Sequence, residues 1–307
     1  MIMTDFTRDH IEQAMALVKN NYREEREAVP TLPKVEEFPD ITLFADNNLG
    51  AVMLEKDKVL GFLGCYNPWE YNNIKRTYSP IHAHGAISND REYIYKRLYQ
   101  AAARKWKENN ITSHGIGLYS HDKVAINSFF VNGFGMHLMD AIRPMEALNL
   151  MPVTGYEYVE LNVNNKEQLL ELKNKLIDHL GDSPTFLNYP QTDTAKLEIE
   201  FQRRNARYFV VCFKQEIVAF LEITKNGENF ATYHSKMMNI CGAFCKEDHR
   251  GKGVFHNLLN YVITALKEEE YSLLGVDFES FNPTAHSFWL KNFTAYTTSL
   301  LRVIIDL

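Results

Sequence analysis

The sequence predicts two α/β units in tandem, each a mixed, mostly antiparallel sheet flanked by helices in an α+β layering. Three observations predict this. The chain has 307 residues, and a domain commonly takes roughly 100–200. Strand-like and helix-like periodicities run through the same order twice. A short stretch also occurs twice, "SHDKVAINSFFVNGF" at 120–134 and "SFNPTAHSFWLKNF" at 280–293. Ser120 pairs with Ser280, Asp122 with Asn282 and Ala125 with Ala285. With one residue fewer in the second copy, Phe129 and Phe130 pair with Phe288 and Trp289. Both copies sit at a strand-to-helix junction, which points to a duplicated unit. The segment "RPMEALNLMPVTG" (143–155) is the natural boundary, giving units of 1–148 and 155–307.

In the first unit, Ile11, Met15 and Val18 recur at helical spacing and predict a helix over 10–22. Pro30, Pro33 and Pro39 mark the next segment as loop. "GAVMLEKDKVLGFLGCY" reads as a hairpin with a charged turn. "TYSPIHAHGAI" reads as one strand, with Pro80 implying an edge or bulge. "SND" at 88–90 offers caps for a helix from Arg91 to about Glu108, with Ile94, Leu98, Ala102 and Trp106 on one face. "ITSHGIGLY" reads as a strand and "HDKVAINSFFVNGFG" as a helix stopped at Gly133.

The second unit repeats the order. "YEYVELNV" predicts a strand, "NKEQLLELKNKLIDHLG" a helix ending at Gly181, and "TAKLEIEFQRRNA" another helix. Residues 207–245 read as strand, turn, strand, turn, strand. A helix starts near Gly253, with Phe255, Leu258, Leu259, Val262 and Leu266 on one face. "YSLLGVDFES" is a strand. "NPTAHSFWLKNF" is a short helix with Asn282 as cap and Pro283 in its first turn. "FTAYTTSLLRVIIDL" supplies one or two closing strands.

Composition narrows the function classes. Hydrophobic residues are 45% and charged residues 23%, ordinary globular usage. A net charge of -6 argues against general nucleic-acid binding. The four cysteines, Cys65, Cys212, Cys241 and Cys245, form no CxxC pair, so neither a zinc site nor a disulfide framework is expected. Cys241 and Cys245 fall in one apolar strand and read as buried thiols. "MIMTDFTRDHIEQ" has no basic region followed by an apolar run. No apolar run approaches the roughly 20 residues that span a bilayer. The expectation is a cytoplasmic protein with no membrane partner and no metal.

The strongest local feature is "CKEDHRGKGVFHNLL", 245–259. Two glycines flank a lysine just before a helix. A helix start presents unpaired N–H groups and the positive end of its dipole, so it suits a phosphate. Glycine permits close approach and positive φ. A P-loop is excluded because Gly253 and Val254 follow Lys252 where GK[ST] is required. A dinucleotide fingerprint is excluded because His256 stands at its third glycine position.

With its flanking strand, helix, strand and Asn-headed helix, this segment resembles the GNAT superfamily of acyl-CoA-dependent N-acyltransferases. That family's pyrophosphate loop has the pattern Q/R-x-x-G-x-G/A, read here as Asp248-His249-Arg250-Gly251-Lys252-Gly253. The family's Asn-headed helix, with Ala three residues on and an aromatic four further, is matched by Asn282, Ala285 and Trp289. The resemblance is good over 155–307 and looser over 1–150. It implies acetyl-CoA as cosubstrate, contacted by Phe244, Cys245, Lys246, Arg250, Gly251, Lys252, Gly253, Val254, Phe255, Asn282 and Trp289. Asp248 departs from the usual Gln/Arg, and Phe255 stands where a small residue is common. The family's frequent thiolate-protonating Tyr is Trp289 here and Phe130 in the first unit. That unit has "AHGAISNDREYIY" in place of a glycine loop, so it reads as a degenerate copy that serves structure or substrate selection.

The implied reaction is direct attack of an amine on the thioester, which needs a proton acceptor and an N–H donor for the oxyanion. Phe244 to Lys246 occupy the donor segment. Asp277 and Glu279 alternate onto one face at the end of "LLGVDFES", and Glu279 is the first candidate base. His234 and His286 are weaker ones. Ser280 and Tyr296 are candidate donors to the thiolate. No His/Asp partner lies near Cys245 in sequence, so direct transfer is expected rather than an acyl-enzyme. The expected acceptor is a small-molecule or peptide amine. A catalytically silent CoA-binding or regulatory module is the second reading, and an interaction scaffold the third.

Overall fold

The computed structural model describes residues 1–304. The chain divides into two compact units. The first is Met1–Asp140 with Ala295–Leu307, of which 305–307 lie outside the described residues; the second is Ala141–Thr294. The boundary read from the sequence assigned everything after 155 to the second unit. The contacts instead place the last strand with the first unit and Ala141 onward with the second.

In the first unit, β1 (Ile2–Asp5), β2 (Ala51–Glu55), β3 (Lys58–Leu63) and β6 (His84–Ala86) form an antiparallel sheet in the order β1-β2-β3-β6. The predicted hairpin is β2–β3. Its turn residues Lys56 and Asp57 have φ of 47° and 64°, the twist that two-residue hairpin turns require. β4 (Trp69–Tyr71) pairs with β5 (Ile74–Ser79), and β5 runs parallel to β7 (Ser113–Tyr119). The single strand expected over 77–87 is broken, because Pro80 has no N–H to donate and Ala83 N turns back to Pro80 O at 2.7 Å. β14 (Thr294–Val303) lies antiparallel on β7, from Thr297 opposite Tyr119 to Val303 opposite Ser113.

Four helices cover these sheets: α1 (Ile11–Ala28), α2 (Thr42–Asp46), α3 (Arg91–Glu108) and α4 (Lys123–Phe130). α1 runs well past Tyr22, because buried Glu25 continues its inner face where the apolar pattern stops. α3 buries the predicted stripe, and Trp106 Nε1 donates to Leu49 O at 3.0 Å inside the core.

The second unit contains β9 (Glu157–Glu160), β10 (Arg207–Phe213), β11 (Glu216–Thr224), β12 (Met237–Cys245) and β13 (Leu273–Glu279), in the order β13-β12-β11-β10-β9. β12 and β13 are parallel and the others antiparallel. The end of β8 (Gly135–Pro144) also belongs here, and the chain beyond it is tied by Met145 N to Ser272 O at 2.9 Å. α5 (Leu170–Gly181) begins later than predicted, after 3-10 turns over Val163–Leu169. α5 and α6 (Thr194–Arg204) pack Leu172, Leu197 and Phe201 against Tyr208, Val210 and Phe220. α7 (Val254–Glu268) buries Leu258, Leu259, Val262 and Leu266 against β10 and β11. α8 (Pro283–Asn292) follows β13.

The duplicated stretch is real but its alignment changes. Asp122 caps α4 by accepting from Ala125 N at 2.9 Å, and Asn282 caps α8 by accepting from Ala285 N at 3.3 Å. Counting on from these caps without a gap sets Phe129 beside Trp289, both buried at 1% and 4% exposure, whereas Phe130 is 39% exposed. The missing residue of the second copy therefore lies beyond the helix. An inward helical position is defined by its distance from the cap, and the earlier pairing of Phe129 with Phe288 breaks that spacing.

Candidate active site

The site begins where two strands part. The parallel ladder between β12 and β13 stops at Ile240 opposite Val276, although β12 continues to Cys245 and β13 to Glu279. On its other edge β12 stays paired with β11 as far as Cys245. Ala243, Phe244 and Cys245 line a cavity of about 470 Å³, within the range of small-molecule sites.

The glycine loop forms the next wall. Gly251 and Gly253 have φ of 72° and 79°, and Gly253 is the residue that starts α7. Side chains rarely adopt such backbone. A Cβ built on Gly251 would meet nothing within 4 Å, so that backbone face is open to a ligand. Arg250 is anchored by Nε to Cys245 O at 2.8 Å, with its guanidinium 5.4 Å from the centre of the Phe244 ring. No carboxylate pairs with it among the described residues. The cradle thus joins unpaired helix N–H groups, glycine backbone and one uncompensated cation, a donor set that fits a diphosphate.

The far wall comes from α8 and the first turn of α7. Asn282, Ala285 and Trp289 line the cavity, as do Phe255 and Phe288. Phe255 packs edge-on against Phe288 at 5.1 Å, and Phe288 against Trp289 at 4.9 Å. The bulk at Phe255 therefore completes an aromatic wall. His256 lies 4.7 Å from Phe288. Its pKa is lowered by burial and then by Lys291. From α5, Leu176 and His179 close the opposite side.

Of the residues proposed from sequence, the cavity brings together Phe244, Cys245, Arg250, Gly251, Gly253, Phe255, Asn282 and Trp289. Lys246, Lys252 and Val254 are not part of its lining. Lys246 is held by Glu216 and by Glu171 at 3.6 Å, and Val254 is fully buried in the α7 core. Asp277, Glu279 and Ser280 are half-buried and also outside the lining. Burial raises the Glu279 pKa. Tyr296 belongs to the first unit and is 1% exposed. His179, His256 and Lys291 were not singled out by the sequence. A basic residue near a glycine loop was the only available signal, and it reached His256 alone.

At the matching helix starts the first unit holds an ion pair. α3 starts at Arg91, whose guanidinium donates to Asp122 at 2.8 Å, Glu24 at 2.8 Å and Ala86 O at 3.2 Å. An arginine side chain spans from the helix start to the cap of α4. In the second unit, Gly251, Gly253 and Asn282 leave a cavity between the equivalent points.

A mixed sheet with two parting parallel strands, a glycine-started helix and an Asn-capped helix define an acyltransferase-type fold. Residues 174–293, all within the second unit, match the Acetyltransferase (GNAT) family model. None of the curated proteins compared gives a significant match. Among solved structures, the chain is similar to a GCN5-related N-acetyltransferase from Sphaerobacter thermophilus, at 10% identity and a TM-score of 0.59, covering 100% of this chain and 97% of that one. It is similar to a tandem GNAT protein from the clavulanic acid biosynthesis pathway at 12% identity and a TM-score of 0.50, covering 100% and 99%. It also resembles a GCN5-related glucosamine N-acetyltransferase region of a fungal multi-domain GH3 β-N-acetylglucosaminidase, at 12% identity and a TM-score of 0.54, covering 98% and 38%. At these identities the likeness is one of fold: two tandem GNAT-like units. Among the described residues, no helix is long and apolar enough to cross a membrane, and no group of His, Cys, Asp or Glu is arranged to hold a metal ion.

Proposed function

We propose that the second unit binds acetyl-CoA in this cavity and transfers the acetyl group to an amine by direct attack, as an acyl-CoA-dependent N-acetyltransferase. The observation that carries this reading is the pair of left-handed glycines, Gly251 and Gly253, opening onto the cavity where β12 and β13 part. The start of α7 and Arg250 receive the diphosphate. The edge of β12 released by β13 offers backbone partners to the amides of the pantetheine arm. Trp289 and Phe288 give that arm an apolar wall. A backbone N–H between Phe244 and Lys246 stabilises the negative charge that develops on the thioester oxygen. Arg91 and Asp122 form an ion pair at the matching helix starts of the first unit, so coenzyme binding is assigned to the second unit alone. The acceptor is a small-molecule or peptide amine.

Calorimetry with acetyl-CoA tests the binding, with Gly251→Val and Gly253→Val expected to abolish it. Mass detection of product across spermidine, tyramine, glucosamine and lysine amide tests transfer. A second reading has one observation in its favour: no tyrosine lines the cavity, so no phenol stands ready to protonate the thiolate. Tight binding without product on any amine would favour that coenzyme-binding module. Absence of binding would overturn both readings.

A further inference from the structure

Proton transfer has few possible carriers among the residues that line the cavity. Arg250 and Lys291 are cations. The Cys245 thiol is pushed up to about 11 by burial, with Arg250 pulling the other way, so it stays protonated near neutral pH. His249 is engaged through Nδ1 with Tyr156 OH at 2.9 Å and packs between the Tyr156 and Phe213 rings. His256 packs on Phe288 of α8 and feels the Lys291 charge. No Asp or Glu lines the cavity.

His179 remains. It sits in the last turn of α5, its ring edge-on to Phe244 with centroids 6.5 Å apart. It lies against the end of β12, where the ladder to β13 has stopped. Neither ring nitrogen is engaged by another described residue. We infer that His179 is the catalytic base that deprotonates the acceptor amine and returns a proton to the departing sulfur. The inference rests on the transferase reading above.

The balance closes. The imidazole takes one proton from an entering ammonium and passes it to solvent, which frees the nitrogen lone pair. The N–C bond forms and the C–S bond breaks. The second N–H proton passes through His179 to the thiolate, giving amide and thiol. The surroundings suit a base that is neutral at rest: burial and then the Arg250 charge lower the His179 pKa, against weaker upward pulls from Asp182 and Glu247. Burial also raises the Glu279 pKa, but that carboxylate lies outside the lining.

The test compares wild type, His179→Gln, His179→Ala and Glu279→Gln for product formed, by mass, from acetyl-CoA and the amine panel between pH 5 and 9. His179→Gln should lower kcat by about 10²–10⁴, with the KM for acetyl-CoA little changed. It should also remove the acid limb, whose midpoint in the wild type lies below the ordinary histidine value. Added imidazole should restore part of the His179→Ala rate, a response that a packing role would not give. Retention of kcat and limb in His179→Gln, or loss of the limb in Glu279→Gln instead, would overturn the assignment. Calorimetry separates the two levels. If wild type binds acetyl-CoA yet acetylates nothing, the transferase reading falls and takes His179 with it. If wild type transfers and only His179→Gln proves indifferent, the transferase reading stands and the base lies elsewhere. Should His179→Gln misfold, His179→Asn with the imidazole series gives the same decision.

Discussion

Arg91 Nη1 donates to Asp122 Oδ2 at 2.8 Å, and both side chains are only 8% exposed. The carboxylate that caps α4 thus also neutralises the arginine that starts α3. Where the second unit keeps a cavity, the first has a closed ion pair. Removing one member of a buried pair leaves the other uncompensated. Arg91→Met should cost about 3 kcal/mol, read as a lower unfolding midpoint in urea. Asp122→Asn should cost less, because the amide still accepts from Ala125 N.

The two loop glycines carry a different kind of cost. Left-handed backbone disfavours any Cβ by about 1–2 kcal/mol per residue. Gly251→Ala meets open space, so the fold should lose about 1 kcal/mol and remain intact by circular dichroism. Its affinity for acetyl-CoA should fall at least about tenfold, an effect of about 1.4 kcal/mol, measured by calorimetry. At Gly253 a Cβ would stand 3.3 Å from Val153 Cγ2, so Gly253→Ala should lose more stability than Gly251→Ala.

Cys245 lines the cavity without the character of a nucleophile. Only the thiolate attacks an acyl group, and burial pushes this thiol up to about 11. Cys245→Ala should keep the transfer rate within about threefold, since at neutral pH only about one thiol in 10⁴ is ionised at such a pKa. Intact-mass analysis after mixing with acetyl-CoA should show no acetylated protein.

Acid should weaken the first unit. His82, His84 and His114 are held near about 4 by burial. His84 sits between Tyr95 OH at 3.0 Å and Gly117 O at 2.6 Å, and His114 between Tyr99 OH at 2.9 Å and Ile111 O at 3.1 Å. Unfolded histidine titrates near 6.5. Between those values the unfolded chain binds protons that the native chain refuses, so stability rises with pH there. The contribution is complete above about 6.5 and is lost as pH falls toward about 4, on the order of 3 kcal/mol for each imidazole. Glu25, whose pKa burial raises, has the opposite sign and offsets part of the loss just above the ordinary glutamate range. Thermal melts at pH 7.5 and pH 5 should show a clear drop in Tm. Unchanged melts would contradict buried neutral imidazoles.

Much of the site was legible in the sequence, because its features act over a few residues. Helix starts at Arg91 and Pro283, the cap at Asn282, the Lys56–Asp57 turn and the glycine loop before α7 all follow from local backbone rules. So does the exclusion of nucleotide fingerprints. Asp277 and Glu279 illustrate the limit. Alternation put them on one strand face, but which face meets a cavity depends on where β13 leaves β12, and that lies in the packing of both strands.

The sequence by itself determined the order of elements, the duplication, and a glycine loop set on a strand–helix–strand frame. Each of these is written in spacing, in caps and in the positive φ that only glycine adopts freely. The tertiary structure alone decided three things: that β14 pairs with β7 in the first unit, that Arg91 at the start of α3 pairs with Asp122 at the cap of α4, and that His179 stands beside Phe244. Strand edges pair with whichever edge folding leaves free. A side chain's charge state follows from the burial that distant residues impose on it. Neither is encoded within a few residues of the side chain concerned.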